Sequence, residues 1–128
     1  MHEMFTKPGA ISWTELSTTD VEAAKKFYGA LFGWTFQEFP MADMVYQVVK
    51  TGDREIGGIM KTPKEAAGMP PFWMTYVTVE NVDQTVKNAK EMGAKILLDP
   101  HDIPEVGRIS VLQDPQGAVL AVISYLKK

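Results

Sequence analysis

Cysteine is absent from the 128 residues, which excludes disulfides and thiolate metal centres and leaves the redox compartment undetermined. Histidine is scarce, with only His2 and His101. No apolar run approaches the roughly 18 residues that a membrane-spanning helix needs. The N-terminal MHEMFTKPGA also lacks the apolar core of a secretory leader. Basic residues are scattered, and 13 Lys and Arg against 16 Asp and Glu leave a formal net charge of -3. Without a basic stripe, nucleic acid is not an expected partner. A soluble, cytoplasmic protein with no membrane partner is the expectation. What the chain does have is a globular composition, 45% hydrophobic and 23% charged. One domain of this size buries roughly two-thirds of its unfolded surface.

The apolar residues follow two periods. Ile11–Ser17 alternates as a strand, with Trp13, Glu15 and Ser17 on one face. Thr19 and Asp20 are both suited to cap a helix, and Thr19 with Glu22 fits a capping box. Val21, Ala24, Phe27, Tyr28 and Leu31 then recur at helical spacing, and Gly33 stops the helix. Trp34–Phe39 reads as a strand interrupted at Pro40, followed by strands at Met44–Lys50 and Glu55–Met60 around the turn Thr51-Gly52-Asp53-Arg54. Gly57-Gly58 within the last of these suggests a bulge or a close approach to the backbone.

After a Pro-rich linker at Lys61–Pro71, the same order returns. Phe72–Val79 is a strand, Asn81 caps a helix striped with Val82, Val86, Ala89 and Met92, and Gly93 ends it. Lys95–Leu98 reads as a short strand before a loop at Asp99–Pro104. Val106–Gln113 and Ala118–Tyr125 flank the turn Asp114-Pro115-Gln116-Gly117. A shift of 61 residues superimposes Thr14 on Thr75, Asp20 on Asn81 and Val21 on Val82. A βαβββ order met twice indicates an internal repeat.

These motifs carry a family resemblance. Thr19-Asp20-Val21 followed by Phe27-Tyr28 and Leu31-Phe32-Gly33-Trp34, with Asp114-Pro115-Gln116-Gly117 before an apolar last strand, resembles the glyoxalase / bleomycin-resistance / extradiol-dioxygenase (vicinal-oxygen-chelate) superfamily over about residues 8–126. The resemblance implies an α+β fold in which two βαβββ modules form a funnel-like curved mixed sheet, helices outside and ligand inside. The chain is then one domain, with module one at about 8–62, a linker at 61–71 and module two at about 72–126. A homodimer is expected, sometimes with modules exchanged.

The resemblance also locates metal-ligand positions, one on the first and one on the last strand of each module. They fall on Trp13, Met74, Ala121 and, by approximate placement, Gly58. None supplies a carboxylate or imidazole, and an indole N–H only donates. No metal and no cofactor are therefore expected. If those positions face the funnel, alternation brings Glu15 and Ser17, then Tyr76 and Thr78, then Val111 and Gln113 to the same surface. Apolar walls with a few polar groups suit a small molecule. Apolar neighbours such as Trp13 and Met74 favour the protonated form of Glu15, which makes it the candidate catalytic acid or base. A hydrogen-bonded Glu15 at the mouth, packing by Tyr76 and turn-capping by Gln113 are the plain structural alternatives.

Two further features invite a functional reading. Asp99, His101, Asp102 and Glu105 cluster in sequence, but a solvated acidic loop explains them more simply than a metal site. Among the eight methionines, Met41, Met44 and Met69 flank turns or the linker and suit a lid or a dimer contact. The leading functional reading is a metal-free module binding a small, partly apolar molecule. The alternative is a metal-independent or divergent enzyme of the family, lyase or dioxygenase-like, using Glu15. Whether any reaction is catalysed stays open at this level. Substitute metal ligands and a side-chain-filled scaffold are weaker competitors.

Overall fold

The computed structural model describes residues 6–41, 44–64 and 68–126. His2 lies outside them, as do the side chains of Met41 and Met44. The α+β class and the doubled βαβββ order are both present. The chain divides into two compact units, residues 13–74 and residues 1–12 with 75–128.

The first unit contains β1 (Ile11–Thr18, from Trp13 on), α1 (Val21–Phe32), β2 (Thr35–Met41), β3 (Met44–Thr51) and β4 (Arg54–Lys61). Its strands lie in the order β2-β3-β4-β1, with β1 parallel to β4 and the others antiparallel. Asp20, rather than Thr19, caps α1, accepting from Ala23 N at 3.0 Å. Gly33 closes the helix at φ 73°, a left-handed conformation that glycine adopts without a Cβ penalty. Leu16, Val49 and Ile59 form the core of this unit, under Val21, Ala24 and Tyr28 of α1.

The second unit repeats the plan with β5 (Phe72–Thr78, from Thr75 on), α2 (Val82–Glu91), β6 (Lys95–Ile103), β7 (Gly107–Gln113) and β8 (Val119–Tyr125). The order is β5-β8-β7-β6, and β5 runs parallel to β8. Asn81 caps α2, accepting from Gln84 N at 2.9 Å. Val82, Val86, Leu112 and Val122 are its buried cluster. The turn at Asp114 closes with Gly117 N donating to Asp114 O at 3.0 Å.

Two strands correct the sequence reading. β2 continues through Pro40 to Met41, and β6 continues through Asp99 and Pro100 to Ile103 in place of a loop. Both are terminal strands of their module's order, where proline's missing N–H costs no ladder bond. The register of β6 also shifts on either side of Leu98, which accommodates Pro100.

Candidate functional site

Alternation along β1 decides what each face can do. Leu16 enters the core beneath α1, so Trp13, Glu15 and Ser17 project from the opposite face. In the parallel register with β4, Glu15 lies across from Gly58 and Ser17 across from Met60. Tyr46 belongs to β3, two residues before Val48, which is paired with Gly58. Its ring therefore reaches over Gly58 towards β1.

The result is a directed hydrogen-bond chain. The Trp13 indole Nε1–H donates to Tyr46 Oη at 2.9 Å, and Tyr46 O–H donates to Glu15 Oε2 at 2.7 Å. An indole nitrogen can only donate, so the phenol oxygen accepts there and sends its own hydrogen to the carboxylate. Hydrogen bonds in series polarise one another, and a carboxylate acceptor strengthens the last. Glu15 is only 8% exposed and Tyr46 is buried with it. The geometry depends on an absent side chain: a Cβ at Gly58 would stand 1.7 Å from Tyr46 Oη. The close approach suggested by Gly57-Gly58 is thus real. At Gly57 the neighbour is the Thr14 carbonyl, 2.4 Å from where a Cβ would lie.

In the second unit, Tyr76 pairs with Ala121 and Ala121 with Val111. Leu112 and Val122 face α2, so Val111 and Ala121 project the other way. Tyr76, Thr78 and Ala121 are buried, whereas Val111 is half-buried. Gln113 braces the turn, its Nε2 donating to Gly117 O at 3.1 Å. Met74 is half-buried at the start of β5. Thr78 also lines a shallow cavity of about 320 Å³ with Pro8, Gly9 and the first turn of α2. On the face carrying Ala121, Tyr125 Oη lies 2.8 Å from the buried Ser12 Oγ, and burial pushes the phenol above its ordinary range.

The donors at the expected metal positions do not fit a divalent ion. The Trp13 nitrogen is spent on Tyr46, and the space in front of Gly58 is filled by the Tyr46 phenol. Met74 offers a thioether and Ala121 a methyl. Among the described residues, no group of three or more His, Cys, Asp or Glu could hold a metal. His101 Nδ1 lies 3.0 Å from the Asp99 carbonyl, and Asp102 pairs with Arg108 at 3.1 Å. Arg108 also forms a bidentate contact with Asp83 at 2.7 and 2.9 Å, so Asp102 of the cluster ties β6 to β7 and Asp83, outside it, ties β7 to α2.

Tyr46 is the residue sequence reasoning missed. Its signals were the alternation of MVYQVVK, which puts Tyr46 and Val48 on one face, and the adjacent glycines of β4 that leave room for a ring.

Comparison with known proteins agrees with this architecture. The family model of the Glyoxalase/Bleomycin resistance protein/Dioxygenase superfamily matches residues 10–122. The chain belongs to this superfamily. CFP32 of Mycobacterium tuberculosis, which carries a provisional glyoxylase name, is 38% identical over 121 residues, covering 94% of this chain and 46% of its own length. The anthracycline biosynthesis protein DnrV of Streptomyces peucetius is 30% identical over 129 residues, covering 90% and 46%. The chain thus spans about half the length of these two relatives. Among solved structures, a variant of Streptomyces coelicolor methylmalonyl-CoA epimerase in complex with 2-nitronate-propionyl-CoA superimposes with a TM-score of 0.65 at 18% identity, over 94% of this chain and 100% of that one. At that identity the likeness establishes the fold alone. No helix among the described residues is long and apolar enough to cross a membrane.

Proposed function

We propose that this superfamily member binds a small, partly apolar molecule without a divalent metal, using the β1 face that carries Trp13, Glu15 and Ser17. The observation that carries the reading is the Trp13–Tyr46–Glu15 chain, whose last bond measures 2.7 Å beside a glycine. Trp13 supplies a ring face oriented by its own N–H bond, and the Tyr46–Glu15 pair supplies the polar anchor. Apolar walls with few convergent polar groups are what such sites are made of. A homodimer in the cytoplasm completes the reading.

The burial of Glu15 supports a second version, in which this carboxylate exchanges a proton with the bound molecule. A thermal-melt screen of small planar molecules bearing hydrogen-bond donors tests both. A ligand at about 100 times its Kd adds about 2.7 kcal/mol. Tyr46→Phe is expected to weaken that ligand about tenfold, the worth of one hydrogen bond of about 1.4 kcal/mol. Equal responses of wild type and variant would refute the anchor. Recovery of the ligand unchanged supports binding alone, whereas conversion that stops in Glu15→Gln supports proton transfer.

A further inference from the structure

Helix α1 is seated less deeply on its strands than α2. Its apolar stripe runs through Val21, Ala24, Phe27, Tyr28 and Leu31, yet none of its 12 residues is buried. Phe27 and Leu31 lie on that stripe and are still 59% and 57% exposed. The buried cluster of the first unit, Leu16, Val49 and Ile59, comes from strands alone. In the second unit, α2 supplies Val82 and Val86 to the corresponding cluster. A helix of this length owes most of its stability to the packing of its apolar face. Gly29, the poorest helix former after proline, also lies within α1.

The strand face beneath α1 adds an independent observation. Gln47 stands two residues before Val49 on β3 and across from Ile59 of β4, so it shares their face. It is 3% exposed, and its Oε1 is buried with no hydrogen-bond partner among the described residues. An acceptor left unpaired in the interior carries a desolvation cost that contact with water relieves. Lifting the helix admits that water, so the cost is borne only while α1 is seated. Trp73, 45 residues from Tyr28 and in the same unit, acts against the lifting. Its Nε1–H donates to Tyr28 Oη at 3.3 Å, long for such a bond, and the two rings meet edge-on at 5.3 Å.

We infer that α1 opens from its strands as a separate unit, before either βαβββ unit unfolds, and that the Trp73–Tyr28 contact is its latch. The helix covers the Leu16 face of β1, so this opening does not depend on what the opposite face binds.

Native-state hydrogen exchange on the full, ligand-free chain tests this, in urea concentrations below the unfolding transition. Amides of α1 are expected to be protected about 100-fold less than those of β4 in the same unit and of α2. Their exchange should hardly respond to urea, because lifting one helix exposes little surface, whereas β4 and α2 should show steep slopes. Trp73→Ala should speed α1 exchange about tenfold, and Gln47→Leu should slow it about as much by removing the buried acceptor. Val86→Ala should speed α2 and leave α1 unchanged, because α2 stays packed while α1 opens. Four results would overturn the inference: α1 and β4 sharing one urea slope, Val86→Ala accelerating α1 as much as α2, Trp73→Ala leaving α1 unchanged, or Gln47→Leu failing to slow it.

Discussion

The two βαβββ units share strand order, an Asx-capped helix and a first strand parallel to the last, yet their helices are put to different use. In the second unit, α2 buries Val82 and Val86 and turns Asp83, Lys87 and Lys90 to solvent. In the first, α1 buries nothing fully and turns Phe27, Leu31 and Phe32 outward. The opposite faces of the strands differ as well. The first unit carries a buried carboxylate fed by a tyrosine and a tryptophan, whereas the second ties its strands to its helix through an exposed Asp83–Arg108–Asp102 bridge. One backbone plan thus carries different chemistry on its exposed helix residues and on the strand face turned away from the helix.

The largest test of that contrast lies within α1's own surroundings. Leu16→Ala, in the core of the first unit, should destabilise by about 2–5 kcal/mol, whereas Phe27→Ala, at a side chain 59% exposed, should cost under about 0.5 kcal/mol. Urea unfolding measures both. Gly58→Ala comes next, at about 1–3 kcal/mol, because the new Cβ displaces the Tyr46 phenol from Glu15. Pairing it with Tyr46→Phe in a double-mutant cycle should show the two effects to be strongly non-additive. The helix caps provide the symmetric control. Asp20→Ala and Asn81→Ala should each cost about 1 kcal/mol, since both caps hold one backbone N–H near 3 Å.

The smallest effects are electrostatic, and both belong to the second unit. Arg108 holds the Asp83 carboxyl below its ordinary value of 3.8. A lowered pKa contributes stability above the unfolded value that is lost as pH falls below it. Asp83→Asn should therefore flatten the acid limb of the stability profile slightly, and added salt should do the same. Burial raises the Tyr125 phenol above 10.0. The unfolded chain then releases that proton first, so stability falls as pH rises past about 10 towards the folded value. Tyr125→Phe should remove this component, as seen in melts between neutral pH and pH 11.

Legibility followed locality. The cap at Asn81, the stops at Gly33 and Gly93, and the turn at Asp114 depend on neighbours a few residues away, and they could be placed from composition and spacing. So could the division of β1 into a Leu16 face and a Trp13–Glu15–Ser17 face. The choice of Asp20 over Thr19 was not legible, since both satisfy the same rule. Nor were the strands through Pro40 and Pro100, because a proline reads as a break until the strand is known to lie at an edge.

By itself, the order of apolar periods, caps and glycines determined a doubled βαβββ chain, and the residue types at its expected ligand positions argued against a divalent ion. Only the tertiary structure decided that Tyr46, 31 residues from Glu15, is the group that reaches it. That contact depends on the register of β3 on β4 and of β4 on β1, where a bulge near Val49 and a missing Cβ at Gly58 set the spacing. The β3–β4 register is set locally by their hairpin turn, but that of β4 on β1 joins strands distant in sequence and follows only from packing both faces at once.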